Sequence, residues 1–171
     1  MRRVFPCIQI ENQKCVKSKK FVKFKYLGDP FNVLRIYNEK EVDELLICIT
    51  DQNFSLEDNS HFLTKLAKQA RMPLALSANI TSPAQVEFLV SLGYEKIVLS
   101  SCLPSLGMSQ FAELSVISGQ QSLVAGIPCT FTGDSWKFYD WRNRCSSTPV
   151  SDILSQISQI LQKQQHCPQK P

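Results

Sequence analysis

The residue types able to do chemistry converge on one turn. Leu74 to Ser82, Leu-Ala-Leu-Ser-Ala-Asn-Ile-Thr-Ser, reads as a short buried strand, a sharp turn and a helix start. Ser82-Pro83-Ala84-Gln85 has the form of a capping box, with Pro at the first helical position. Such a turn aims backbone N–H groups at whatever sits above it, commonly a phosphate. A phosphate cradle calls for glycine, which alone lets the backbone approach closely and take positive φ without strain. Ser77, Ala78 and Asn79 stand there instead. The stretch has the form of a binding loop whose binding residues have been replaced.

Other reactive side chains are scattered. The seven cysteines include no Cys-x-x-Cys and there are two histidines, His61 and His166, so neither a metal site nor a disulfide framework is expected. Cys7 and Cys48 lie inside apolar runs and read as buried, inert thiols. Six lysines (Lys14, Lys17, Lys19, Lys20, Lys23, Lys25) alternate with Val16, Phe21, Val22, Phe24 and Tyr26. A basic, aromatic-interleaved segment can hold nucleic acid. No recognised binding motif accompanies it, so the expectation is a solvated hairpin or loop that attracts anions, and nucleic acid is not an expected partner. No cofactor is expected either.

The elements that must position these groups follow a repeating pattern. With 171 residues, 43% of them apolar, and a net charge of +4, the chain is long enough for one well-packed domain. No apolar run suits a bilayer span or a signal peptide, and a cytoplasmic protein is expected. Strands are expected at Val4 to Ile10, Leu45 to Ile49, Leu74 to Leu76, Ile97 to Leu99 and Ser122 to Ile127. Helices are expected from Asp29-Pro30 through Tyr37, from Ser60 to Ala70, from Pro83 to Gly93, from about Ser105 or Ser109 to Val116, and from Val150 to Gln165. Val86, Leu89 and Val90 form the inner face of the third helix, and Ile153, Leu154, Ile157, Ile160 and Leu161 give the last its apolar stripe. Thr130 to Arg144 suggests a surface hairpin, and residues 166–171 a frayed tail. Five βα repeats with continuously apolar strands mean an α/β fold with a parallel sheet: a partial (β/α)8 TIM-type barrel of about five βα units over residues 1–165. No Gly-x-Gly-x-x-Gly supports a dinucleotide-binding fold.

Several segments, in order and spacing, resemble one family. They are Val4-Phe5-Pro6-Cys7-Ile8-Gln9-Ile10, Val16-Lys17, Gly28-Asp29-Pro30, Arg35-Ile36-Tyr37-Asn38, Val42-Asp43-Glu44-Leu45, Leu92-Gly93-Tyr94-Glu95-Lys96 and Gly119-Gln120-Gln121-Ser122. The family is the cyclase subunit of imidazole glycerol phosphate synthase, of histidine biosynthesis. The likeness is greatest to its relatives in surface-polysaccharide gene clusters, which partner a glutamine amidotransferase in sugar amidation. It extends to about residue 165 but covers only the first five of the family's eight βα units. It implies a barrel whose C-terminal face holds a bisphosphorylated substrate between two aspartates acting as general acid and base. Ammonia would come from a glutaminase docked on the opposite face.

The chain departs from that pattern at the catalytic face. Gln9 and Pro128 occupy the positions of the two catalytic aspartates, and neither an amide nor a proline can exchange protons near neutral pH. Ser77-Ala78-Asn79 replaces Gly-Gly-Gly at one phosphate site, and Ser100-Ser101 replaces an Asn-Ser or Asn-Thr pair at the other end of it. Asp51 keeps one of two second-strand carboxylates, and Lys17 matches a mobile-loop lysine. At the opposite face the resemblance implies an ammonia gate at Arg3, Glu44 and Lys96 and a glutaminase contact at Glu95; the alternative for these charges is ordinary solvated strand ends. Three readings follow: a catalytically impaired relative of the cyclase, a non-catalytic partner of a glutamine amidotransferase, or an anion-binding module that completes its sheet with another chain. Five parallel strands cannot close, so open edges and an inner face carrying Val4, Cys7, Ile47, Leu76, Val98 and Val124 predict self-association.

Overall fold

The computed structural model describes residues 3–100, 108–119, 121–141, 143 and 145–165. Two sheets and five helices follow one another as β1 (Cys7–Glu11), β2 (Lys14–Lys19), β3 (Val22–Gly28), α1 (Pro30–Glu39), β4 (Leu45–Ile49), α2 (Ser60–Gln69), β5 (Leu74–Ser77), α3 (Pro83–Ser91), β6 (Lys96–Leu99), α4 (Met108–Ser118), β7 (Leu123–Ala125), β8 (Cys129–Thr132), β9 (Ser135–Asp140), β10 (Cys145–Pro149) and α5 (Val150–Gln165). The larger sheet runs β3-β2-β1-β4-β5-β6-β7. Its last five strands are parallel, and a helix follows each, directly for β4, β5 and β6. This is the αβ alternation of a partial TIM-type barrel.

One side of the sheet carries the core. Ile8, Ile47, Leu76, Ile97 and Leu123 lie side by side in register, and the first four are nearly or wholly buried beside Leu34, Leu63, Leu66, Val86 and Leu89 of the helices. Fully burying one such side chain contributes roughly 1.5–3 kcal/mol. The expected inner face is therefore half corrected. Cys7, Val98 and Val124 do lie on the side away from the helices, but Ile47 and Leu76 face the helices. Continuously apolar strands hide which side is which.

Helix starts follow local chemistry. Asp29 Oδ1 accepts from the amides of Phe31 and Asn32 at 2.9 and 3.1 Å, and Pro30 begins α1. Gly93 at φ +95° ends α3, whose inner face is Val86 and Leu89; Val90, expected there, is 38% exposed. The first strand is shorter than expected, because Val4 and Phe5 lie outside it and are 60% and 47% exposed. Val4 is instead tied by its amide to Asp43 Oδ2.

The lysine-rich segment is a hairpin, β2–β3, reached from β1 through Asn12 and Gln13, both with positive φ. It lengthens the sheet at the β1 side, so the edge there is β3 and not β1. Lysines on an edge strand, with the two register shifts in the β2–β3 ladder, discourage further pairing. That accounts for Lys23 and Lys25 of β3 without a ligand. A second sheet, β10-β9-β8, follows β7. The expected hairpin is its β8–β9 part, and β10 was not anticipated. The tip of β2–β3 touches this sheet: Phe21 stacks on Trp141 with centroids 5.4 Å apart, and Tyr139 Oη donates to Lys20 O. Of the expected α5 stripe, Ile153 is buried, Ile157 half-buried and Leu154 52% exposed, while the side chains of Ile160 and Leu161 lie outside those described. Residues 166–171, expected to fray, lie outside the described residues. Among the described residues no helix is long and apolar enough to cross a membrane.

Candidate functional site

The sheet side away from the helices presents two groups of polar residues, one at each end of the parallel strands. Strand register brings Gln9, Cys48, Ser77, Val98 and Val124 into one row near the C-terminal ends. Gln9 has its side-chain oxygen engaged within the chain. Its Oε1 accepts from Ser18 N–H at 3.1 Å and from Ser18 Oγ at 2.8 Å. Farther along, Cys48 lies beside Ser77 in register, and Ser77 Oγ lies 3.3 Å from Ser100 Oγ, both serines being buried. Burial, with Cys7 nearby, pushes the Cys48 thiol up to about 12. Cys48 is half-buried and Cys7 exposed, which corrects the expectation that both are buried; Cys15 is the buried thiol, raised to about 11 by burial and by Asp29.

The turn after β5 is self-contained. Ser77, Ala78 and Ile80 are buried, and no residue from Ser77 to Ser82 has positive φ. Ile80 N–H donates back to Ala78 O at 3.1 Å, and Thr81 N–H donates to Gln85 Oε1 at 2.9 Å. The expected capping box is thus shifted by one residue: Gln85 caps Thr81, and the Ser82 side chain makes no cap hydrogen bond. Gln85 Nε2 in turn lies 3.3 Å from Glu57 Oε1. Glu57 is held below the usual carboxylate range by its own backbone N–H, then by Gln85 and Ser55. Two amides that a glycine loop would offer to an anion are therefore occupied by the chain, beside a carboxylate.

The remaining mouth residues are similarly engaged. Asp51 Oδ1 accepts from Asn53 N–H at 3.1 Å, a local turn. Glu11 Oε2 lies 2.9 Å from Thr50 Oγ1. Pro128 stands where the chain leaves β7, its carbonyl accepting from Tyr139 N–H at 2.8 Å. Lys17 does not join the row. Strand alternation turns it to the opposite side from Val16, Gln9's register partner, and it borders a cleft beside β1. Ser101 lies outside the described residues.

At the N-terminal ends the expected residues do come together. Glu44 precedes β4 and Lys96 begins β6, the strands on either side of β5. Lys96 Nζ reaches across the N-terminal end of β5, where its own register partner is the small Ala75, to both Glu44 carboxylate oxygens at 2.5 Å. Glu44 is 7% exposed. Lys96 Nζ also lies 6.0 Å from the Phe5 ring centroid. Arg3, Glu95 and Lys96 line one cavity of about 560 Å³ with Gln121 and Ser122. Among the described residues no group of three His, Cys, Asp or Glu side chains could hold a metal ion.

Sequence reasoning missed the role of Ser18 and the long-range contacts of Gln85 and Trp141. Ser18 was legible in principle, since a two-residue turn at Asn12-Gln13 fixes Gln9 opposite Val16, with Ser18 next on that side. The contacts of Gln85 with Glu57 and of Trp141 with Phe21 join distant segments, and no local pattern announces them.

An open row of parallel strands with helices on one side, each helix following its strand, defines a protein of the partial (β/α)-barrel class. Comparison with known proteins specifies it further: the chain belongs to the histidine biosynthesis protein family, whose model matches residues 3–163. It is 35% identical over 129 residues to a Pseudomonas aeruginosa protein provisionally named imidazole glycerol phosphate synthase subunit hisF2, covering 75% of this chain and 51% of that one. A Campylobacter jejuni protein of the same provisional name is 30% identical over 152 residues, covering 89% and 61%. Imidazole glycerol phosphate synthase subunit HisF of Exiguobacterium sibiricum is 30% identical over 138 residues, covering 80% and 55%. The chain thus spans between half and two thirds of the length of these relatives.

Proposed function

We propose that this chain is a catalytically impaired relative of the imidazole glycerol phosphate synthase cyclase, keeping the scaffold and the charged N-terminal end without the acid–base chemistry of the mouth. The observation that carries this reading is Gln9. It occupies the position that the family resemblance gives to a catalytic aspartate, it cannot titrate near neutral pH, and its oxygen is held by Ser18. Losing one general acid or base forfeits about 10²–10⁴-fold in rate, and Pro128 at the second position compounds the loss. The self-satisfied Ile80 and Thr81 amides support a matching loss of phosphate binding. Titration with inorganic phosphate, followed by amide chemical shifts, tests this. No saturable shift at Ile80, Thr81 or Ser82 is expected; a saturable shift there would count against the reading.

The charged cluster favours a second role, as a non-catalytic partner of a glutamine amidotransferase. Arg3, Glu44, Glu95 and Lys96 gather around one end of the strands, where the resemblance implies an ammonia gate and a glutaminase contact. Co-sedimentation with a glutaminase subunit, weakened by Glu95→Lys, supports it, and no complex at micromolar concentrations removes it. An anion-binding module that completes its sheet with another chain, at the β7 edge, remains the third reading, and mass in solution reads out that pairing directly. A cytoplasmic location accompanies all three.

A further inference from the structure

We propose that the cleft beside β1 is a binding site for a small amphipathic anion, a single anionic head on an apolar body. The cleft arises from how the hairpin pairs. β2 is in register with Gln9, Ile10 and Glu11 alone, so Cys7 and Ile8 have no strand neighbour on that side. The space left between this stretch, the hairpin and α1 is about 480 Å³, within the roughly 300–1,000 Å³ of small-molecule sites.

Its lining separates by chemistry. Ile8, Val16, Leu27 and Val33 supply apolar walls beside the thiols of Cys7 and Cys15, while Lys17 and Tyr37, with the mutually bonded Gln9 and Ser18, supply polar groups. Leu27 is 60% exposed, an apolar side chain standing open at the border. Lys17 lies directly across from Lys25 in the β2–β3 ladder. Like charges directly opposite one another destabilise a strand pair, and among the described residues neither lysine has a carboxylate within ion-pair distance. An anion beside Lys17 offsets that repulsion, and an apolar body covers Leu27 and Val33. An added polypeptide strand fits less well, because two free residues of β1 are too few for a ladder. Nucleic acid fits less well too, since it offers phosphates to the lysines but no apolar body to the cleft.

The probe is 8-anilinonaphthalene-1-sulfonate, with decanoate as a non-fluorescent competitor. One saturable site is expected, displaced by decanoate and weakened about tenfold by Lys17→Gln, the equivalent of one charge-assisted contact of about 1.4 kcal/mol. Val33→Trp fills the cleft and abolishes binding. Leu27→Glu alters an exposed residue, leaves folding intact by circular dichroism, and repels the anion from the same border. Binding unchanged by both Val33→Trp and Leu27→Glu overturns the proposal. So does dye binding that disappears as the protein self-associates, which would give the cleft to a second copy.

Discussion

Replacing Lys96 with methionine isolates the ion pair at the N-terminal end of the strands. The structure sets the magnitude. Glu44 is 7% exposed and receives both of its contacts from Lys96, so the variant leaves a carboxylate without its counter-ion. Breaking a buried pair costs about 3–5 kcal/mol, but the Lys96 side chain is 29% exposed, and water will partly replace it. A loss of about 1–3 kcal/mol follows. For a chain of this size each kcal/mol lowers Tm by about 2–4 °C. Glu44→Gln should cost less, because Lys96 can turn to solvent. A double variant, Lys96→Met with Glu44→Leu, should recover much of the loss, since an apolar pair of similar volume needs no counter-charge. Urea unfolding of all three variants gives the coupling energy through a double-mutant cycle. A Lys96→Met loss below about 0.5 kcal/mol, or a coupling of zero, would refute the claim that this pair is held together across the end of β5.

Three further outcomes follow from local geometry. Gln13 has φ 57° in the turn between β1 and β2, and Asn-Gly is the favoured sequence for such a turn; Gln13→Gly should raise stability by about 0.5–1 kcal/mol in urea, net of its exposed hydrogen bond to Asn59. A Cβ at Gly126 would lie 2.8 Å from Val98 Cγ1, so Gly126→Ala should cost about 1–3 kcal/mol and Val98→Ala in the same chain should restore part of it. The folded-state thiols of Cys15 and Cys48, at about 11 and about 12 against an ordinary 9.0, stay protonated between pH 9 and 11 while the unfolded chain ionises. The unfolded state then binds fewer protons, so stability falls as pH rises, by about 1.4 kcal/mol per unit for each thiol; Cys48→Ala should make the urea midpoint visibly less steep in pH.

What the sequence disclosed depended on whether the signal was local. Leu45–Ile49 and Val150–Gln165 match their expected bounds, because an apolar run bounded by polar residues and a 3.6-residue stripe are properties of one segment. The start at Asp29-Pro30 was legible for the same reason. β10, Cys-Ser-Ser-Thr-Pro, has no apolar alternation and is a strand through its pairing with β9. Val4 and Phe5 look like strand residues, yet no neighbouring strand reaches them. The two sides of β4 and β5 could not be told apart, since all four β5 residues are buried. At the candidate site, residue identity revealed that Gln9 cannot titrate. What holds Gln9, and what occupies the amides of the β5–α3 turn, emerges only when Ser18 and Gln85 are brought in by the fold.

The central claim is that the mouth of this barrel-type scaffold lacks acid–base chemistry. Its most direct test is product formation from the bisphosphorylated ribulosyl substrate and saturating ammonia, with purified chain and chromatographic detection of imidazole glycerol phosphate. No product above the uncatalysed background is expected, with or without a glutaminase partner. Sustained turnover that Gln9→Ala reduces would contradict it.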